Sequence, residues 1–218
     1  NGCSTVASET INKLIGPLVN LDGTNDVNCF GDATGDIFIS VTGGTSPYIF
    51  DWDNIAGVND PEDNLAIQAG TYNVIATDAV GCDDTLQVII NGPAAALNLS
   101  GIENHLDCNA DGNGSIGLTV SGGTTDYTID WTQGVTPVGS IISSTGVFTI
   151  PNLDALSYDV LVTDGNGCTT TQNFVLNEPT AIVPSTSFLD SDCGLSNGQV
   201  SASPTGGTDC VTYTFSWI

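Results

Sequence analysis

One segment is written three times in this chain, and it decides the architecture. Gly43-Gly-Thr-Ser-Pro-Tyr-Ile-Phe-Asp-Trp52 recurs as Gly122-Gly-Thr-Thr-Asp-Tyr-Thr-Ile-Asp-Trp131. It returns with two extra residues as Gly206-Gly-Thr-Asp-Cys-Val-Thr-Tyr-Thr-Phe-Ser-Trp217, and the tryptophans stand 79 and 86 residues apart. Other landmarks keep the step: Cys3, Cys82 and Cys168 each follow a glycine, and Cys29, Cys108 and Cys193 each precede a Gly/Asp/Asn-rich stretch. A chain that repeats itself at a fixed period is an array of modules, each too short to be a separate machine. The register predicts four segments: 1–16, the end of a preceding repeat; 17–93 and 94–179, two whole repeats; and 180–218, the first part of another. The 218 residues thus read as a window on a longer protein.

Alternation within a repeat points to strands. Ser115-Ile-Gly-Leu-Thr-Val120 places Ile116, Leu118 and Val120 on one face, after a short first strand at Ala96–Ser100. Past the Gly122-Gly123 turn, Tyr127, Ile129 and Trp131 alternate inward; Val147–Ile150 is the clearest strand of a variable stretch. Then Tyr158, Val160 and Val162 alternate, Asp164-Gly-Asn-Gly-Cys168 turns the chain, and Phe174 and Leu176 close the repeat. The preceding repeat gives Ile37, Ile39 and Val41, then Tyr48, Phe50 and Trp52, then Tyr72, Val74 and Ala76, then Val88 and Ile90. Six or seven short strands with turns between them predict an all-β chain of tandem Ig-like or fibronectin-III-like sandwiches in an extended array. The expected core carries Trp52, Trp131 and Trp217, with Tyr72 and Tyr158 where a tyrosine corner sits in such folds.

Composition narrows the function. The chain has 25 acidic residues against one lysine, Lys13, and no arginine, a formal charge of −24. Binding to nucleic acid or anionic lipid rests on Lys and Arg, so both are excluded. With 40% hydrophobic and 12% charged residues it is no acidic disordered tail. No signal peptide, membrane span or anchor lies within it, so this segment is not expected to enter a membrane.

Seven cysteines at repeating positions point to an oxidising, extracellular compartment. Cys3, Cys29, Cys82, Cys108, Cys168 and Cys193 are disulfide candidates, and two connectivities stay open. One pairs Cys29 with Cys82 and Cys108 with Cys168 inside each repeat. A sandwich resists it, because those turns lie at opposite poles. Bridged Cα atoms approach within about 7 Å, whereas a ten-residue strand spans roughly 33 Å. The other pairs Cys29 with Cys168. Cys210 belongs to neither series.

Candidate chemistry is sparse. His105, the sole histidine, sits in a loop without a counterpart in the other repeats. Asp107-Cys-Asn-Ala-Asp-Gly112 opens like a calcium loop, making Asp107, Asn109 and Asp111 candidate ligands, although the twelfth position is Leu118 instead of glutamate. No other cofactor is expected. Asp84-Thr85-Leu86 resembles an Asp-Thr/Ser-aliphatic motif that some bacteria O-glycosylate, a resemblance that makes Thr85 a candidate, and Asn98 and Asn113 open N-glycosylation sequons.

Cys29-Phe-Gly-Asp32, Gly43–Trp52, Gly70-Thr-Tyr-Asn-Val74 and Asp78-Ala-Val-Gly-Cys82 together resemble the SprB-type repeat of large surface adhesins of gliding, Bacteroidetes-type bacteria. The second repeat departs at Asp126, where Pro47 stands in the first, and at Ser157; the third carries an insertion with Cys210. The resemblance implies export by the dedicated (type IX) secretion route, display at the cell surface and no catalysis. The expected role is a stalk or filament segment that spaces an adhesive region from the cell. Its partners are neighbouring repeats, with surface polysaccharide or other copies in a filament as further candidates. The alternatives are a polysaccharide-binding module and an ancillary module of a larger secreted enzyme.

Overall fold

The computed structural model describes residues 15–207 and 213–216, with Gly2, Thr5, Ala7 and Glu9. Cys3, Lys13, Cys210 and Trp217 lie outside the described residues. Every regular element described is a strand, and the chain divides into two compact units, Asn1–Ala94 and Ala95–Ile218.

Unit one contains β1 (Pro17–Asn25), β2 (Gly35–Gly43), β3 (Ile49–Trp52), β4 (Asn64–Ile67), β5 (Gly70–Thr77) and β6 (Asp83–Ile90). They form two antiparallel sheets, ordered β1-β2-β4 and β3-β5-β6. Because side chains alternate across a strand, each sheet turns one set of apolar residues inward. Val19, Ile37, Ile39 and Ile67 from the first sheet meet Phe50, Trp52, Val74, Ala76, Val88 and Ile90 from the second.

Unit two repeats the plan with β7 (Asn98–Asn104), β8 (Gly114–Ser121), β9 (Tyr127–Gln133), β10 (Thr136–Ser143), β11 (Val147–Leu153), β12 (Ser157–Thr163) and β13 (Thr169–Val175). Its sheets are ordered β7-β8-β11 and β10-β9-β12-β13. Ile116, Leu118, Val120, Ile129, Val160, Val162, Phe174 and Leu176 are buried between them. The unit also holds two short pairs beyond residue 179: β14 (Thr180–Val183) with β17 (Thr205–Gly207), and β15 (Thr186–Leu189) with β16 (Gln199–Ala202).

An acidic side chain also bonds across from one sheet to the other in each unit. Asp84 Oδ2 accepts from the Val19 N–H at 2.9 Å, and Glu103 Oε1 accepts from the Val175 N–H at 3.2 Å.

Two expectations need correction. The first strand of unit two runs from Asn98 to Asn104, beyond Ser100, because β8 offers paired backbone along that whole length. The variable stretch after Trp131 holds two strands, and β10 is an added edge strand on β9. Gly134 and Gly146, both at positive φ, supply the turns that enter and leave it.

That edge strand changes the tryptophan. Trp52 is fully buried under the chain that follows it, and its Nε1–H donates to the Pro61 carbonyl at 3.0 Å. Trp131 is only half-buried. It lies against Phe148, ring centroids 6.2 Å apart, and beneath Gly139 of β10, where an added Cβ would fall 2.2 Å from the indole.

Candidate functional site

The repeated motifs converge on one clasp in each unit. In unit one the paired glycines Gly43 and Gly44 both take positive φ, which is why both are glycine. The turn they make delivers the Thr45 N–H to Asp78 Oδ2 at 2.9 Å. Asp78 Oδ1 accepts from the N–H groups of Val80 at 3.0 Å and Cys82 at 2.8 Å. Unit two repeats this: Asp164 Oδ2 takes the Thr124 N–H at 2.9 Å, and Oδ1 takes those of Asn166 at 3.0 Å and Cys168 at 2.8 Å. Each carboxylate is buried and ties the Gly-Gly-Thr turn to the Asp-x-x-Gly-Cys turn. Burial works to raise the Asp78 pKa, but backbone N–H groups of Cys82, Thr45, Val80 and Gly81 outweigh it and hold the carboxyl below the ordinary carboxylate value. Alternation and turn chemistry mark Asp164 only as a turn former. The signal available was that Asp precedes the second cysteine by four residues in both repeats.

Tyrosine hydroxyls fasten the same regions. Tyr127 donates to the Gly122 carbonyl at 2.8 Å and Tyr213 to the Gly206 carbonyl at 2.6 Å, while Tyr48 donates to the Gly43 carbonyl. Tyr72 and Tyr158 form the corners: their hydroxyls donate to the carbonyls of Gln68 at 2.8 Å and Asp154 at 3.3 Å. Burial raises both phenol pKa values, helped at Tyr72 by the nearby Asp53 charge.

The Asx-rich loop is closed by its own side chains. The Asp107 N–H donates to Asn113 Oδ1, and Asn113 Nδ2 donates to Asp107 Oδ2 at 3.2 Å and Asp111 Oδ2 at 3.3 Å. Asn109 turns away and donates to Glu178 Oε1 at 3.0 Å and the Pro179 carbonyl. An amide donor therefore bridges the two carboxylates where a cation would need oxygens, and the three candidate ligands do not converge. The same reciprocal pair closes the loop at Asp192, through Asn197. Among the described residues no group of three or more His, Cys, Asp or Glu is placed to hold a metal ion.

The cysteines divide unevenly. Cys29 and Cys168 are disulfide-bonded, whereas Cys82, Cys108 and Cys193 are free thiols. This overturns pairing of Cys29 with Cys82 and of Cys108 with Cys168. Thr85 is exposed on β6. Asn98 is exposed at the start of β7, and Asn113 belongs to the loop just described. His105 Nδ1 accepts the Asn177 N–H at 3.3 Å, a structural contact. A hollow of 480 Å³ on the outer face of the β7-β8-β11 sheet is lined by Ile102, Gly117, Thr119, Val147 and neighbours, none of them titratable.

No curated protein matches the chain. Among solved structures it is similar to the N-terminal eight Ig domains of Down Syndrome Cell Adhesion Molecule isoform 1.30.30, at 14% identity and a TM-score of 0.41, over 76% of this chain and 25% of that one. It is also similar to the fibronectin(III)-like modules of Clostridium thermocellum CbhA, at 14% identity and a TM-score of 0.28, over 74% of this chain and 95% of that one. The SprB repeat family model matches residues 22–57 and 105–136. Each match runs from before the Asx-rich loop through the Trp strand, a narrower span than the resemblance read along whole repeats. Over these two stretches the chain matches the SprB repeat.

Proposed function

We propose that this segment is a non-catalytic spacer in the stalk of an extracellular adhesin, secreted and displayed on the surface of a gliding bacterium. One observation carries the reading. The two units reproduce the same carboxylate clasp and tyrosine fastenings, while the chain between Trp and the next sheet differs in length, charge and strand content. What recurs is the means of holding a module shut, which is what a tension-bearing spacer needs. The disulfide-bonded Cys29 and Cys168 fit an oxidising extracellular setting.

Pulling the reduced chain by its ends in a single-molecule instrument tests this. Discrete unfolding events are expected, each releasing on the order of 25 nm for an ~80-residue unit. Featureless extension at low force overturns the spacer reading, and so does specific capture of one polysaccharide on a glycan array.

A further inference from the structure

Unit two presents an edge run without charge, the nearest acid across the sheet being Asp130 of β9, the register partner of Ser140. Residues 131–153 contain no Asp, Glu, Lys, Arg or His, in a chain with 25 acidic residues. The run builds β10 and β11, which are the outer strands of the two sheets and follow one another in sequence. Val138, Ile142 and Val147 are exposed along it at 47%, 72% and 67%, and Val135 at its turn at 98%. Among the described residues no side chain caps a backbone N–H of β10 between Gly139 and Ser143.

Unit one guards the corresponding flank with acid. Between β3 and β4 it carries Asp53, Asp60, Glu62 and Asp63. Asp60 Oδ2 takes the Trp52 N–H at 2.8 Å, and Asp63 Oδ1 takes the Ile39 N–H at 3.1 Å. Charges at sheet edges are the common defence against strand addition. Unit two lacks that defence; only Pro137 and the bulge between Pro137 and Gly139 interrupt its edge.

We propose that this flank is a self-association surface, at which β10 of one chain pairs antiparallel with β10 of a second copy. Charge selects that occupant. At a two-fold contact the same patch meets itself, so acid on the patch would lie close to acid on the second copy. A chain of net charge −24 meets least repulsion in touching itself where it carries none. A basic partner would instead be drawn to the acidic surface elsewhere. The free stretch is centred on Ile141, and pairing about that residue sets Ser140 opposite Ile142 of the second copy on the outer face. The proposal stands on unit two alone and is independent of the spacer reading.

Sedimentation of the whole 218-residue chain tests it, up to about 1 mM protein. Salt is varied from about 0.01 M to about 1 M, which shortens the screening length from about 30 Å to about 3 Å. A dimer is expected, and it strengthens with salt as repulsion between the two acidic chains is screened. Ile142→Asp and Ser140→Asp, each at an exposed position, should weaken it at least about tenfold with the melting temperature unchanged. Should either substitution unfold the unit, the other carries the test. Ile89→Asp, exposed on β6 of unit one, should leave the dimer intact. A chain that stays monomeric under all conditions overturns the proposal. So does a dimer untouched by Ser140→Asp and Ile142→Asp, or one abolished equally by Ile89→Asp.

Discussion

Asp78 keeps its charge in a buried turn because backbone N–H groups converge on it, and this ties stability to pH at the level of one residue. A carboxyl held below its ordinary value in the folded chain contributes where it is ionised, above the unfolded value. The contribution disappears as pH falls through the lowered folded value. Tyr72 and Tyr158 work in the opposite sense. Their raised phenol values mean that stability is whole below the ordinary tyrosine range and is lost as pH rises through and above it. A thermal-melting series across pH should therefore show a plateau through the neutral range, an acid fall below the carboxylate range and an alkaline fall above about pH 10. Replacing Asp164 with alanine strands three N–H donors, two from its own turn and one from the Gly-Gly-Thr turn. Unit two should lose about 3 kcal/mol, measured by denaturant titration. The tryptophans provide a second contrast. Trp52→Ala should cost about 3–5 kcal/mol, as for a closed core. Trp131→Ala should cost less, since that side chain is only partly buried.

At the scale of the element, β10 explains why Trp131 sits where it does. The strand crosses the indole with Gly139 at the contact, opposite Trp131 in register. Adding one methyl there collides with ring atoms, so Gly139→Ala should destabilise unit two by about 1–3 kcal/mol. The same substitution should shift Trp131 fluorescence to the red as the ring is pushed outward. Alternation made β2, β8, β5 and β12 legible beforehand: Ile37 and Ile39, Ile116 and Leu118, Val74 and Ala76, Val160 and Val162 all point inward as the period of two requires. It did not disclose β10. Thr-Pro-Val-Gly-Ser-Ile-Ile-Ser alternates poorly, because an edge strand with a bulge and a proline covers only part of the core. The clasp was hidden for a different reason. An Asp in a turn signals only a local bond to its own backbone, and nothing in one turn names the second turn that its other oxygen will reach.

For the whole molecule, repetition was the most legible property, and cysteine chemistry the least. The step of the cysteines assigned them to two series, yet the structure breaks the series: Cys29 and Cys168 are bonded while Cys82, Cys108 and Cys193 are not. Spacing reports which residues are equivalent between repeats, not which thiols meet in space. Alkylation of the unreduced protein, followed by peptide mass analysis, should mark Cys108 and Cys193 rapidly and half-buried Cys82 more slowly. Cys29 and Cys168 should be marked only after reduction.

The clasp has one further consequence. Both Asp78 and Asp164 are held by main-chain N–H groups, and a sequence with Lys13 as its sole lysine or arginine cannot build a network of ion pairs for salt to dissolve. Dissolved ions can then act mainly on the mutual repulsion of the remaining acids, which opposes folding. Such a fold should grow firmer in brine, so that sea-strength ionic conditions stiffen the very modules that they would loosen in a protein held by salt bridges.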